Sequence, residues 1–134
     1  MSNKARGSEI EDLVIKKLGL QKADSNEYDA LDNGTPIEIK SSELVHKDQL
    51  EVGFIKTRLG RFSIAPAAHN KLKPDSEYIF VVLLEEHPLF LVKLPWSVVN
   101  ERIKRYDNPT MKYKLLISEV VDKAKKIPDS LVFL

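Results

Sequence analysis

Three carboxylates and one lysine lie close together in the segment YDALDNGTPIEIKSS, residues 28–42. Asp29 and Glu38 are side chains of the kind that hold a divalent cation, and Lys40 is of the kind that orients or deprotonates a bound water. If the fold brings them together, they could hydrolyse a phosphate ester. The alternative is an ordinary charged hairpin whose polar face meets water.

A turn at Asn33-Gly34 predicts how the two halves of this segment pair. Asn-Gly favours a two-residue β-turn, which fixes the register of the strands on either side. The register places two apolar pairs on one face of the sheet: Ala30 with Ile37, and Tyr28 with Ile39. On the other face it places Asp29 opposite Glu38 and Glu27 opposite Lys40.

The opposed acids, Asp29 and Glu38, are the informative pair. Directly opposed residues have Cβ atoms about 4.5–5.5 Å apart, and like charges at that separation destabilise a sheet. A cation between the two carboxylates would turn this repulsion into a binding site. Strand alternation places Lys40 on the same face, beside that site.

Composition predicts one soluble domain spanning residues 1–134. The chain has 43% hydrophobic and 31% charged residues, no cysteine, and a net charge of +1. The longest apolar run, YIFVVLL at 78–84, has the length of a buried strand and not of a membrane span. The absence of cysteine excludes disulfides and thiolate metal sites. The start lacks the apolar core of a signal peptide, so we expect a cytoplasmic protein.

The remaining elements read as a sheet flanked by helices. Ser8 predicts the N-cap of a first helix over 8–18, and Gly19 its C-cap. Segment 43–60 is either a helix or a long loop, and residues 112–121 are compatible with helix or strand. We predict strands at 27–32, 35–41, 61–65, 77–84, 89–94 and 130–134, and helices at 66–72 and 96–106. This order favours an α/β or α+β domain.

Positive charge concentrates after the active-site candidates. Lys40 to Lys73 holds seven lysines and arginines against three acidic residues, a net charge of +4. A surface that faces phosphates is one explanation, and a solvated face is the other.

The pattern D-x(8)-E-x-K across a hairpin, followed by Ser41 and Ser42, resembles the PD-(D/E)xK nuclease superfamily. The superfamily includes type II restriction endonucleases and archaeal Holliday-junction resolvases. YDALDNGTPIEIKSS looks most like the corresponding segment of the small Pvu-type restriction enzymes. The resemblance implies an αβββαβ core with a central mixed sheet.

The resemblance also implies roles for individual residues. Asp29, Glu38 and the backbone carbonyl of Ile39 would hold Mg²⁺, with Mn²⁺ able to substitute, and Lys40 would assist the attacking water. Many members of the superfamily add a glutamate from the first helix. Glu11 borders the apolar stripe of that helix, whereas Glu9 points to water, so Glu11 is the better candidate. Its alternative role is to stabilise the helix dipole.

DNA, double-stranded or branched, is the implied substrate, cut by a homodimer with one site in each protomer. Contacts to DNA would come from a set that follows the catalytic strand: Ser41, Ser42, Lys47, Lys56, Arg58, Arg61, His69 and Lys71. His69 could equally lie on a helix surface. The favoured function is a restriction-like endonuclease, the alternative is a junction resolvase or another structure-specific nuclease, and the non-enzyme alternative is a catalytically silent DNA-binding module.

Overall fold

A computed structural model describes residues 3–50, 53–106, 108 and 111–134. The helices are α1 (Asn3–Leu18), α2 (Pro66–Lys71), α3 (Trp96–Ile103) and α4 (Ile117–Ala124). The strands are β1 (Gln21–Lys22), β2 (Ala30–Asp32), β3 (Thr35–Glu43), β4 (Val45–Gln49), β5 (Ile55–Leu59), β6 (Arg61–Ile64), β7 (Glu77–Leu84), β8 (His87–Pro95), β9 (Tyr113–Leu116) and β10 (Leu131–Phe133).

A central sheet joins six of the described strands in the order β1-β2-β3-β7-β8-β10. β3 and β7 run parallel, and the other neighbours run antiparallel. The predicted mixed sheet flanked by helices is therefore confirmed. Two further ribbons, β4–β5 and β6–β9, pair outside this sheet. No helix in the described part of the chain is long and apolar enough to cross a bilayer.

Both faces of the central sheet are covered, which explains the apolar run in β7. On one face α1 packs through Ile10 and Val14 against alternate residues of β3 and β7. On the other face Tyr78 and Phe80 of β7 pack with Phe62 and with residues of α3, α4 and β9. A strand buried on both sides is expected to be almost continuously apolar, as β7 is.

The predicted hairpin forms, but it is shorter than expected. Asn33 and Gly34 both have positive φ, 49° and 89°, as a type I′ turn requires. Ala30 pairs with Ile37 and Asp32 with Thr35, in the predicted register. The first strand, however, begins at Ala30 and not at residue 27.

Tyr28 consequently lies on a different face from the one predicted. Ala30, Ile37 and Ile39 belong to the core beneath α1, whereas Tyr28 packs against the core on the opposite face of the sheet. The predicted pairing of Tyr28 with Ile39 was therefore wrong. The chain joins the ladder with β3 only at Ala30, two residues after Tyr28.

The first helix ends as predicted and begins earlier. Gly19 has φ +64°, and the N–H of Leu20 donates to the carbonyl of Ile15 at 2.9 Å, which closes the last turn with a left-handed C-cap. The helix begins at Asn3, so Ser8 lies inside it and is not its N-cap. No proline precedes Ser8, so the helix can extend toward the N-terminus, although Gly7 inside it costs about 1 kcal/mol relative to alanine.

The ambiguous segments resolve into local structure. Segment 43–60 was predicted as a helix or a loop; it forms the β4–β5 ribbon, although residues 51–52 lie outside the described residues. Segment 112–121 contains both predicted states, strand β9 followed by helix α4. The helix predicted over 96–106 ends at Ile103.

Gly60 marks the point where β5 passes into β6 and crosses the end of β3. Its N–H donates to the carbonyl of Leu44 at 2.8 Å. A Cβ at this position would overlap the carbonyl oxygen of Glu43 and the hydroxyl of Ser42. The crossing therefore requires a residue with no side chain.

Replacing Gly60 with alanine should force these backbones apart. We expect a loss of about 1–3 kcal/mol in the free energy of unfolding, measured by urea denaturation. Gly7→Ala is the matched control, because its Cβ would meet no atom within 4 Å. That variant should be neutral or more stable by up to about 1 kcal/mol. Equal urea midpoints for Gly60→Ala and the wild type would contradict the crossing.

Candidate active site

The edge of β3 opens where β2 leaves it. The N–H of Asp29 donates to the carbonyl of Ile37 at 2.9 Å, and Asp29 Oδ2 accepts the N–H of Ile39 at 2.8 Å. A side-chain oxygen thus replaces the backbone acceptor that a longer β2 would have supplied. These two bonds fix the carboxylate of Asp29 against the middle of β3.

Glu38 contributes the second carboxylate. Its neighbours Ile37 and Ile39 point into the core beneath α1, so alternation turns Glu38 to the other face, where 18% of its side chain is exposed. Burial raises the pKa of Glu38 to about 8, together with the negative charge of Asp29 and a hydrogen bond to the carboxyl of Asp29. The two carboxyl groups therefore lie close enough together to interact.

This arrangement matches the predicted proximity of Asp29 and Glu38, but it arises differently. The prediction placed both residues in a continuous ladder. In the structure the ladder between β2 and β3 ends at Ala30, and Asp29 reaches Glu38 from the segment where the chain turns away.

Lys40 lies next to the carboxylate pair. Its Nζ is 3.9 Å from Oε1 of Glu38, and about a third of its side chain (32%) is exposed. The lysine can therefore contact both the carboxylates and a molecule approaching from solvent. The positive charge of Lys40 opposes the other causes and lowers the pKa of Glu38 in part.

Of the two helical candidates, Glu11 lies near these residues. It is half-buried, and burial followed by the charge of Asp29 raises its pKa, while Lys40 acts in the opposite direction. Glu9 is exposed on the same helix. The wheel argument from the sequence thus placed the two glutamates on the sides of α1 that they occupy.

A cleft of about 550 Å³ opens beside Glu38 and Lys40. Lys71, at the end of α2, lies on its rim, and Tyr78 of β7 lines its wall. Burial, and then the charge of Glu38, raises the pKa of Tyr78, so its hydroxyl keeps its proton at neutral pH. The cleft gives a ligand access to the carboxylate pair.

His69 does not lie on a surface that could contact DNA, and that prediction was wrong. Only 1% of the residue is exposed. Its Nδ1 lies 2.7 Å from the Tyr78 hydroxyl, its Nε2 lies 3.0 Å from Oδ1 of Asn100, and its ring stacks on Trp96. Burial lowers the pKa of His69, which favours the neutral ring. Because both ring nitrogens have partners inside the protein, this histidine supports the wall of the cleft.

The Tyr78–His69–Asn100 network was missed in the sequence. Tyr78 carries a hydroxyl in an otherwise apolar buried strand, and a buried hydroxyl needs a partner. That requirement was the available signal, although it does not name His69 as the partner.

The other predicted DNA contacts are spread over the surface. Ser41, Lys47 and Lys56 are exposed, and the last two lie on the β4–β5 ribbon. Arg58 is bound to Asp48, with Nε 2.9 Å from Oδ2. Ser42, Arg58 and Arg61 line a second, smaller cleft, apart from the one beside Lys40.

The donors at the β3 edge fit a small divalent cation. Asp29 and Glu38 supply carboxylate oxygens, and the carbonyl of Ile39 points to the same open edge as its N–H, because both groups of a strand residue face one side. In the described part of the chain no three or more acidic or histidine residues cluster closely enough to hold one ion. Two carboxylates completed by waters are the ligand set typical of Mg²⁺.

The metal-free wild type should lose folding stability as the pH rises, and Glu38→Gln should remove this loss. The folded pKa of Glu38 is about 8 against a reference of 4.5, so the wild type loses stability as the pH rises through this interval. In EDTA at pH 8.5 we expect the variant to be more stable by about 1–3 kcal/mol. The difference should become small toward pH 4.5, where the Glu38 carboxyl is protonated in the folded protein.

Urea denaturation from pH 4.5 to 8.5 measures this difference. Glu9→Gln is the control, since Glu9 is exposed on the same helix as Glu11 and should show no such trend. A stability difference for Glu38→Gln that does not change with pH would contradict the raised pKa.

Comparison with known proteins identifies the family of this chain. A family model described as the PD-(D/E)XK nuclease superfamily domain matches residues 1–113. A search of curated proteins finds no significant match. Nucleases of this superfamily generally use divalent metal ions. The narrower likeness to Pvu-type enzymes stays a prediction. The chain belongs to the PD-(D/E)XK nuclease superfamily.

Proposed function

We propose that the protein is a metal-dependent endonuclease that hydrolyses the phosphodiester bonds of DNA. Asp29, Glu38 and Lys40 form the proposed active site. The observation that carries the proposal is the geometry at the open edge of β3: the Asp29 carboxylate accepts the N–H of Ile39 at 2.8 Å beside Glu38, and Lys40 Nζ lies 3.9 Å from Glu38 Oε1. A pair of acids in this arrangement destabilises the protein unless a cation or a proton lies between them.

The acids hold the cofactor. Asp29 is oriented by the N–H of Ile39, and Glu38 gives up its proton when a cation binds. Asp29, Glu38 and the Ile39 carbonyl would hold Mg²⁺, or Mn²⁺ in its place. When bound, the ion would lower the pKa of a coordinated water and would stabilise negative charge on the phosphate oxygens.

Lys40 has access to the substrate and to the carboxylates. Its ammonium group orients the attacking water and stabilises the negative charge that grows on the phosphate as the phosphorus–oxygen bond breaks. Glu11 acts from α1 as a positioning residue, because its half-buried carboxyl interacts with both Asp29 and Lys40.

Substrate binding uses the cleft beside Lys40. Lys71 lies on its rim, where it can contact the DNA backbone. We propose double-stranded DNA as the substrate and a homodimer as the active form, since the described part of one protomer offers one such site and cutting both strands needs two. Sequence-specific, restriction-like cleavage is the favoured mode.

Cleavage should depend on a divalent cation and on Lys40. We expect wild-type protein to cut plasmid DNA in Mg²⁺ or Mn²⁺ and not in EDTA. Lys40→Ala and Asp29→Asn should reduce the rate by about 100-fold or more. Lys17→Ala, an exposed lysine on α1, is the control for charge loss and should cut at the wild-type rate.

The form of the product separates the possible activities. Discrete plasmid bands indicate sequence-specific cleavage, and paired nicks in a synthetic four-way junction indicate junction resolution. If the protein binds the plasmid and the four-way junction but cuts neither of them with either metal, it is a non-catalytic DNA-binding module and the proposal is wrong.

A further inference from the structure

A second cleft, of about 260 Å³, lies between the end of β3 and the β6–β9 ribbon. Among the described residues its lining carries three cationic side chains, one histidine and one acidic side chain. The lining residues that carry the argument are Ser42, Arg58, Arg61, Ser63 and Lys114. The ligand that this cleft can bind depends on which of its charged side chains lack a partner of opposite charge within the protein.

The ribbon sorts its side chains between the core and the cleft. Phe62 and Leu115 point inward and are buried, so alternation turns Arg61, Ser63 and Lys114 outward. Ser63 and Lys114 are direct cross-strand partners, and Lys114 Nζ donates to Ser63 Oγ at 2.6 Å. This bond holds the ammonium group of Lys114 at the cleft.

Two charged side chains of the cleft, Arg58 and Glu43, already have partners within the protein. Asp48 binds Arg58 at 2.9 Å and lies 3.1 Å from the ring of His46. The carboxylate of Glu43 accepts the N–H of Glu86 at 2.9 Å. In the described part of the chain, Arg61 and Lys114 form no salt bridge. The charge of Arg61 helps to lower the pKa of Asp48, but less than that of Arg58 does, so both Arg61 and Lys114 remain available to an anion.

The cleft lies in line with the candidate active site. Glu38, Lys40 and Ser42 are alternate residues of β3 and share one face. At about 3.3 Å per residue, Ser42 lies roughly 7 Å beyond Lys40 and roughly 13 Å beyond Glu38. One strand of B-DNA advances about 3.4 Å per nucleotide along its axis. A backbone that follows β3 from Lys40 therefore reaches the cleft within a few nucleotides.

We propose that this cleft binds a second phosphodiester group of the substrate, a few nucleotides from the bond that is cut. The inference rests on the proposed endonuclease function and names the residues that hold the substrate's backbone in register. Arg61 and Lys114 supply the positive charge, and Ser63 orients Lys114. A guanidinium and an ammonium group that converge with hydroxyls match the oxygens of one phosphate.

DNA binding tests this proposal without relying on cleavage. Affinity for a short duplex is measured in EDTA over a range of salt concentrations, for Arg61→Ala, Lys114→Ala and the double variant. Each single variant should bind about tenfold more weakly. Because both side chains contact one phosphate, the double variant should lose only about 0.9 from the slope of log affinity against log salt.

Controls separate a lost contact from a lost charge or a lost fold. Lys17→Ala lies on α1, across the central sheet, and should keep the wild-type slope. Arg61→Lys retains the charge and should recover most of the slope. Thermal unfolding of each variant should stay near the wild type, because Arg61 and Lys114 are exposed.

Two results would overturn the proposal. One is wild-type affinity and slope in the double variant, and the other is a slope loss near 1.8, which indicates two separate surface contacts. A neutral methylphosphonate placed at successive positions then locates the phosphate. One position should weaken binding of the wild type and not of the double variant.

The binding experiment together with the plasmid cleavage assay distinguishes this proposal from the proposed function. If the wild type cuts DNA and the double variant binds as tightly as the wild type, only the second phosphate site is wrong. If the double variant loses affinity as expected and the wild type cuts no DNA, the cleft is a DNA-binding site and the endonuclease function is wrong.

Discussion

The hydrogen bond from the N–H of Ile39 to the carboxylate of Asp29 determines the architecture of the candidate site. By accepting this bond at 2.8 Å, Asp29 satisfies the β3 backbone without a further residue of β2. Had β2 continued, Tyr28 would have paired with Ile39 and closed the edge of the sheet. The bond therefore keeps the edge of β3 open and holds one acid beside Glu38. The candidate site exists because β2 ends at this point.

The arrangement is electrostatically unfavourable in the absence of a ligand, and the surrounding fold maintains it. Burial and Asp29 raise the pKa of Glu38 to about 8, so at neutral pH the carboxyl pair retains a proton. Lys40, at 3.9 Å and partly exposed, compensates only part of the negative charge. The Tyr78–His69–Asn100 network, in which Tyr78 and His69 are buried, rigidifies the neighbouring wall of the cleft.

Local signals predicted the relative positions of Asp29, Glu38 and Lys40 better than they predicted the surrounding structure. The Asn33-Gly34 turn fixed the register up to Ala30, because turn geometry is encoded in two adjacent residues. It failed from Asp29 onward, where a side chain replaces a strand bond. His69 was misassigned because its partners, Tyr78 and Asn100, come from distant elements. Segment 43–60 gave no clear period, because its ribbon is exposed on both faces and buries little.

The close crossing at Gly60 explains how residues far apart in sequence come to share one face of β3. Because Gly60 has no side chain, its backbone lies directly against Ser42 and Glu43, and β6 follows at once. β6 in turn pairs with β9 and brings Lys114 beside a strand more than seventy residues earlier in the chain. The distance between the carboxylate pair and the second cleft is then set by β3 itself, a rigid element. A backbone contact that tolerates no Cβ is thus what aligns the cationic cleft with Lys40.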